Sequence, residues 1–128
     1  MKAYLAIKFK EDFSNRNLIE DISVVLKKEG VETVVMARDH EKWGEKKFSP
    51  ETLMAETFKE IDSSDFLIIE FSEKGVGLGI EAGYAYAKNK PIIVIATEGS
   101  DVSSTLQGIT KKIIFYKNSG DLSGKINI

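Results

Sequence analysis

Two stretches of this chain are apolar almost from end to end: Phe66-Leu67-Ile68-Ile69 behind Asp65, and Ile92-Ile93-Val94-Ile95-Ala96 behind Pro91. A strand that is apolar on both faces must be covered on both, which is the situation of central strands in parallel sheets flanked by helices. Between the two runs lie a glycine-rich turn and a run of helix formers from Ala82 to Lys88, closed by Asn89-Lys90-Pro91. Strand, helix and strand in that order make one crossover unit of such a sheet.

The remaining segments repeat the alternation. Lys2 to Phe9 suits a first strand, and Ser14 is placed to cap a helix whose apolar residues Leu18, Ile19, Ile22, Val25 and Leu26 share a face before Gly30 stops it. Glu32 to Met36 follows as a second strand, and Ala37 to Phe48 reads as a long polar loop carrying His40 and Trp43. Ser49-Pro50-Glu51 is a strong helix start, with Leu53, Met54, Phe58 and Ile61 as its buried stripe. Asp65 to Phe71 is the third strand, a helix from about Gly79 to Lys88 follows, and Pro91 to Ala96 is the fourth strand. A short helix around Val102 to Gln107 and a last strand at Ile113 to Tyr116 complete the set. The expected fold is α/β, a three-layer αβα, flavodoxin-like arrangement with a five-stranded parallel sheet. Residues 1–128 are expected to form one domain.

Composition limits the chemistry. The chain has no cysteine, which removes thiol nucleophiles and thiolate metal sites, and its only histidine is His40. Carboxylates must therefore carry most of any catalysis. A formal net charge of −2 gives no general attraction to nucleic acid. No stretch reaches the roughly 20 apolar residues of a membrane span, so a cytoplasmic location is expected, with no membrane or nucleic-acid partner.

The segment Gly75-Val76-Gly77-Leu78-Gly79-Ile80-Glu81-Ala82-Gly83-Tyr84-Ala85 joins the third strand to its helix, where open α/β sheets hold ligands. Three readings compete for it. Gly77-Leu78-Gly79-Ile80-Glu81-Ala82 fits a dinucleotide fingerprint with Glu98 as the ribose acid, although that fingerprint normally follows a first strand. Alternatively Glu81, in the first turn of the helix, is held ionised by the helix end and serves as nucleophile or base at a breaking glycosidic bond. In the third reading it is one more acid in a first helical turn.

The string Val76 to Ala85 resembles the active-site signature of the nucleoside 2-deoxyribosyltransferase family, which includes the 2′-deoxynucleoside 5′-monophosphate N-glycosidases. Asp65 and Lys90-Pro91-Ile92-Ile93 match the family's strand openings. The resemblance implies that Glu81 attacks the anomeric carbon of deoxyribose; no cofactor or metal is expected. The family's helix aspartate falls on Thr57 by ungapped counting back from Asp65, with Glu56 adjacent and Glu60 one turn on as substitutes. Gly75, Gly77 and Gly79 are expected to admit the substrate, Lys8 or Lys10 to pair with a phosphate and Phe9 to stack on a base, against a simpler reading of snorkelling lysine and core phenylalanine. Ser103 and Ser104 resemble the segment that reaches the phosphate from a neighbouring subunit, which implies a homodimer or higher homo-oligomer. Tyr4, Tyr84 and Tyr86 are expected to be packing residues. The function implied is cleavage or transfer at the N-glycosidic bond of a small-molecule nucleoside or nucleotide, the alternative being a non-catalytic nucleotide or nucleotide-sugar binding module.

Overall fold

The computed structural model describes residues 1–127. Its elements run β1 (Lys2–Ile7), α1 (Arg16–Lys28), β2 (Glu32–Val34), α2 (Pro50–Asp62), β3 (Phe66–Glu70), α3 (Val76–Ala87), β4 (Ile92–Thr97), α4 (Ser104–Gln107) and β5 (Lys112–Tyr116). All strand pairings are parallel, and the sheet order is β2-β1-β3-β4-β5. This is the flavodoxin-like order, in which the chain changes direction across the sheet between β1 and β3. The crevice beyond the carboxyl ends of those two strands is therefore the natural ligand position.

Strict side-chain alternation divides the core into two layers. Leu5, Ile68, Ile93 and Ile95 pack on one face with Ile19, Ile22 and Leu26 of α1. Tyr4, Ala6, Leu67, Ile69, Ile92 and Val94 face the other way, against Ile61 of α2 and Leu78, Ala82 and Ala85 of α3. The apolar runs of β3 and β4 are thus apolar because each face of the strand meets its own helical layer.

Helix ends follow local chemistry, with two departures from expectation. Ser49 Oγ accepts from Thr52 N at 3.2 Å with Pro50 at the first helical position, as the sequence anticipates. Gly30, at φ +82, takes the left-handed conformation that closes α1, and Val31 N reaches back to Leu26 O at 3.0 Å. At the other end of α1 the cap is Asn15, not Ser14. The Asn15 amide instead donates to Lys8 O at 3.0 Å, tying the helix to the chain leaving β1.

The second departure concerns α3, which begins at Val76 with Gly75 as its cap, three residues earlier than expected. Gly77, Gly79 and Gly83 are consequently helical residues, and Glu81 is the sixth residue of the helix, in its second turn. The expected loop from Ala37 to Phe48 is also more ordered than a loop. It contains a π-helical turn at Met36–His40 and a 3-10 turn at Lys42–Gly44, where Trp43 has φ 55. No helix of the described residues is long and apolar enough to cross a membrane.

Replacing Ile68, which is fully buried in the central strand, by alanine is expected to lower unfolding free energy by about 2–5 kcal/mol. Val76→Ala, at a side chain 83% exposed, is expected to change it by less than about 0.5 kcal/mol. Urea titration of both variants checks the contrast.

Candidate active site

A cavity of ≈ 250 Å³ opens at the carboxyl end of β1, between α2 and α3, and it brings together residues scattered along the sequence. Ile7 and Lys8 come from the end of β1, Phe9 and Phe13 from the segment that follows, and Met36, Ala37 and Glu41 from beyond β2. Leu53, Met54 and Thr57 project from α2, and Gly77 and Glu81 from α3. An adjoining hollow, also ≈ 250 Å³, shares Lys8, Phe9, Gly77 and Glu81 and adds Gly75. Glu81 stands where the two meet.

Position on α3 sets the state of Glu81. Its Oε2 is buried and has no hydrogen-bond partner, and burial pushes its pKa up to about 7, with the Tyr4 hydroxyl beside it pulling in the opposite direction. The expectation that the helix end holds this acid ionised is therefore corrected. One turn into the helix the dipole has faded, and desolvation dominates. Gly77 lies beside Glu81: a Cβ there would be in ordinary contact with Glu81 Oε1, at 3.8 Å.

Tyr4 is not a packing residue alone. Its ring is buried among the α2 and α3 side chains, but its hydroxyl lies against Thr57 and Glu81, and burial and the nearby carboxylate raise its own pKa. The signal for it was available: a tyrosine in an otherwise aliphatic strand needs a partner for its hydroxyl. Thr57 also lines the cavity, buried, with Oγ1 donating to Leu53 O at 2.8 Å. Glu41 is the second acid of the cavity, and sequence patterns gave no means of finding it because it comes from the irregular segment after β2.

Other expected site residues are distributed differently. Lys8 and Lys10 line the cavity and both reach Glu73, at 3.7 and 2.5 Å. Phe9 is 56% exposed and edge-on to Phe13 at 6.0 Å, so the core reading of this residue fails. Glu56 does not line the cavity; it points along α2 to Lys59 at 3.5 Å. Glu60 is engaged by Lys2 at 3.3 Å and by His40 at 3.0 Å, which places His40 away from the pocket as well. Trp43 packs against Phe13 and under Arg16 and does not cover the cavity. Gly79 and Ser103 line a separate groove of ≈ 560 Å³ between α3 and α4, and Ser104 lines neither space. Tyr84 stacks on Phe58 with ring centroids 4.1 Å apart, whereas Tyr86, expected to pack, is 58% exposed. Glu98 faces Lys117 at 3.9 Å and is 55% exposed, so the dinucleotide fingerprint has no ribose acid at this cavity.

Comparison with known proteins identifies the family. The family model described as nucleoside 2-deoxyribosyltransferase matches residues 3–122. The chain belongs to the nucleoside 2-deoxyribosyltransferase family. A Thermofilum pendens protein with the provisional name 2′-deoxynucleoside 5′-phosphate N-hydrolase 1 is 28% identical over 115 residues, covering 86% of this chain and 79% of the relative. Two solved structures share the fold. A 2-deoxyribosyltransferase from Bacillus psychrosaccharolyticus superposes with a TM-score of 0.77 at 17% identity, over 97% of this chain and 91% of the other. A CMP N-glycosidase from Clostridium botulinum gives 0.68 at 22% identity, over 93% and 91%. The chemistry of this family and its relatives lies at the N-glycosidic bond of nucleosides or nucleotides.

Because the folded protein holds the Glu81 proton more tightly than the unfolded chain, Glu81 costs stability as pH rises from about 4.5 to about 7. Below that window both states are protonated and the cost vanishes. Glu81→Gln is therefore expected to stabilise the protein at pH 8 by up to about 3 kcal/mol and to be neutral near pH 4. Denaturant titrations of both proteins at the two pH values measure the difference.

Proposed function

We propose that this protein cleaves or transfers the N-glycosidic bond of a nucleoside or nucleoside monophosphate, with Glu81 as the nucleophile. The observation that carries the reading is a half-buried carboxylate on the lining of a cavity at the switch point of the sheet, with one of its oxygens buried and unpartnered. A Glu81 oxygen attacks C1′ as the bond to the base nitrogen breaks and its electron pair leaves with the base. The resulting glycosyl ester is opened by water or by a second base attacking C1′, which returns the electron pair to Glu81. Tyr4 stands beside Glu81 and can donate to the ionised carboxylate, holding it for attack.

Other residues take roles consistent with their positions. Thr57 lies where the sugar hydroxyls would sit, and its hydroxyl can orient them but cannot transfer a proton in the manner of an aspartate. Lys8 and Lys10, together with the backbone at Gly75 and Gly77, suit a 5′-phosphate, which would displace Glu73 from the two lysines. Phe9 offers an exposed ring at the cavity mouth. Ser103 and Gly79, on the groove between α3 and α4, would complete a site only through a second copy of the chain, as would Ser104. The rival reading, a non-catalytic nucleotide-binding module, draws its support from Thr57, which stands where the resemblance places an acid.

Incubation with a panel of nucleosides and their 5′-monophosphates is expected to release free base, or to exchange it when a second base is supplied. Glu81→Ala is expected to lower kcat by about 10³-fold or more. Since the attacking form is the carboxylate, kcat/KM of the native protein should rise as pH increases through about 7 and then level off. Nucleotides that bind yet remain intact at every pH would favour the binding module instead.

A further inference from the structure

The space around Glu81 is polarised. On one side are the lysines and glycines of the β1 and α3 ends; on the other, Met36, Ala37, Leu53 and Met54 form apolar walls with Glu41 as the charged group among them. Glu41 is held by its backbone. Its N–H donates to Met36 O at 2.9 Å, and its carbonyl accepts from Gly44 N and Lys46 N, each at 2.9 Å. Its carboxylate forms no ion pair and accepts no hydrogen bond among the described residues, and the adjoining His40 is turned to Glu60 at 3.0 Å. An acceptor in such surroundings is satisfied only by donors that a ligand or water brings.

The reaction proposed above fixes which ligand part arrives there. With C1′ at Glu81, a phosphate is drawn to Lys8 and Lys10 and repelled by Glu41, so the flat, largely apolar base occupies the Met36–Met54 side. We propose that Glu41 reads the nucleobase, accepting a hydrogen bond from an exocyclic amine and thereby selecting amino-bearing bases over their oxo counterparts: cytosine over uracil, adenine over hypoxanthine. The oxo bases present a carbonyl oxygen in place of the amine, and two acceptors then face each other. A pocket group built to bond a donor rejects the analogue that lacks it far more strongly than a shape difference would. Burial raises the pKa of Glu41, with His40 opposing, in keeping with a carboxyl group partly withdrawn from water.

Matched cytosine and uracil nucleotides test the proposal, which rests on the glycosidic reading of the site. The native protein is expected to favour the cytosine nucleotide by about 10²-fold in kcat/KM. Glu41→Gln, whose amide supplies both a donor and an acceptor, should bring that ratio within about tenfold, chiefly through loss of rate on the cytosine nucleotide. A purely structural role would lower both rates together and leave the ratio unchanged, which overturns the proposal. A binding arm separates the two ideas: calorimetry of the Glu81→Gln protein, with and without Glu41→Gln, against cytidine and uridine 5′-monophosphates and their 2′-deoxy forms. A Glu41-dependent preference in binding without turnover by the native protein leaves base reading in place and removes the glycosidic reading. Equal affinity for both bases, or binding of neither, overturns the role of Glu41.

Discussion

The parallel pairing of β1 with β3, from Ala3 opposite Phe66 to Ile7 opposite Glu70, is the constraint on which the rest depends. Because β2 lies outside β1 on one side and β4 outside β3 on the other, the chain leaves the two central strands in opposite lateral directions. The connections part, and a crevice remains between them. Everything that lines the cavity does so by virtue of that parting: Lys8 and Phe9 leave β1 on one side, Gly77 and Glu81 enter from α3 on the other, and Thr57 closes it from α2.

The carboxyl ends are themselves tied together. Glu70 is buried at the end of β3, where it accepts from the Tyr116 hydroxyl, from Ser72 N at 2.7 Å and from Ser72 Oγ at 2.8 Å. Thr97 N in turn donates to Ser72 Oγ at 2.9 Å, so β3, β4 and β5 share one polar knot. That knot satisfies a buried acid with its own donors. Glu81, on the helix that follows β3, has no such set. Glu70 is buried with both oxygens bonded, whereas the half-buried Glu81 keeps one buried oxygen bare, a contrast that marks Glu81 as a candidate site residue.

Several features were legible because they depend on local chemistry. Ser49 and Pro50 announce α2, Gly30 ends α1, and the runs at β3 and β4 identify the central strands, since capping, left-handed backbone and two-sided burial are each written into a few adjacent residues. The glycine-rich segment stood out in the same way, whereas the role expected of Glu81 came from the family resemblance of the string Val76 to Ala85. What failed were inferences that needed to know what a side chain meets. Asn15, not Ser14, begins α1, and its amide goes to Lys8 O across space; Glu56 leaves the cavity lining because α2 presents Thr57 to it; Phe9 is exposed after the chain leaves the sheet at Ile7.

The sequence by itself determined a parallel sheet with two helical layers and the order of its elements, because periodicity and turn chemistry act over a few residues; the choice of Glu81 as the candidate acid came from the family resemblance of Val76 to Ala85. Only the tertiary structure decided that Glu81 has one oxygen buried without a partner and a pKa pushed up to about 7, that Tyr4 and Glu41 join it, and that His40 and Glu60 do not. The physical reason is that the dielectric environment of a carboxylate and the company it keeps are set by elements distant along the chain. Those elements meet only when the sheet is assembled.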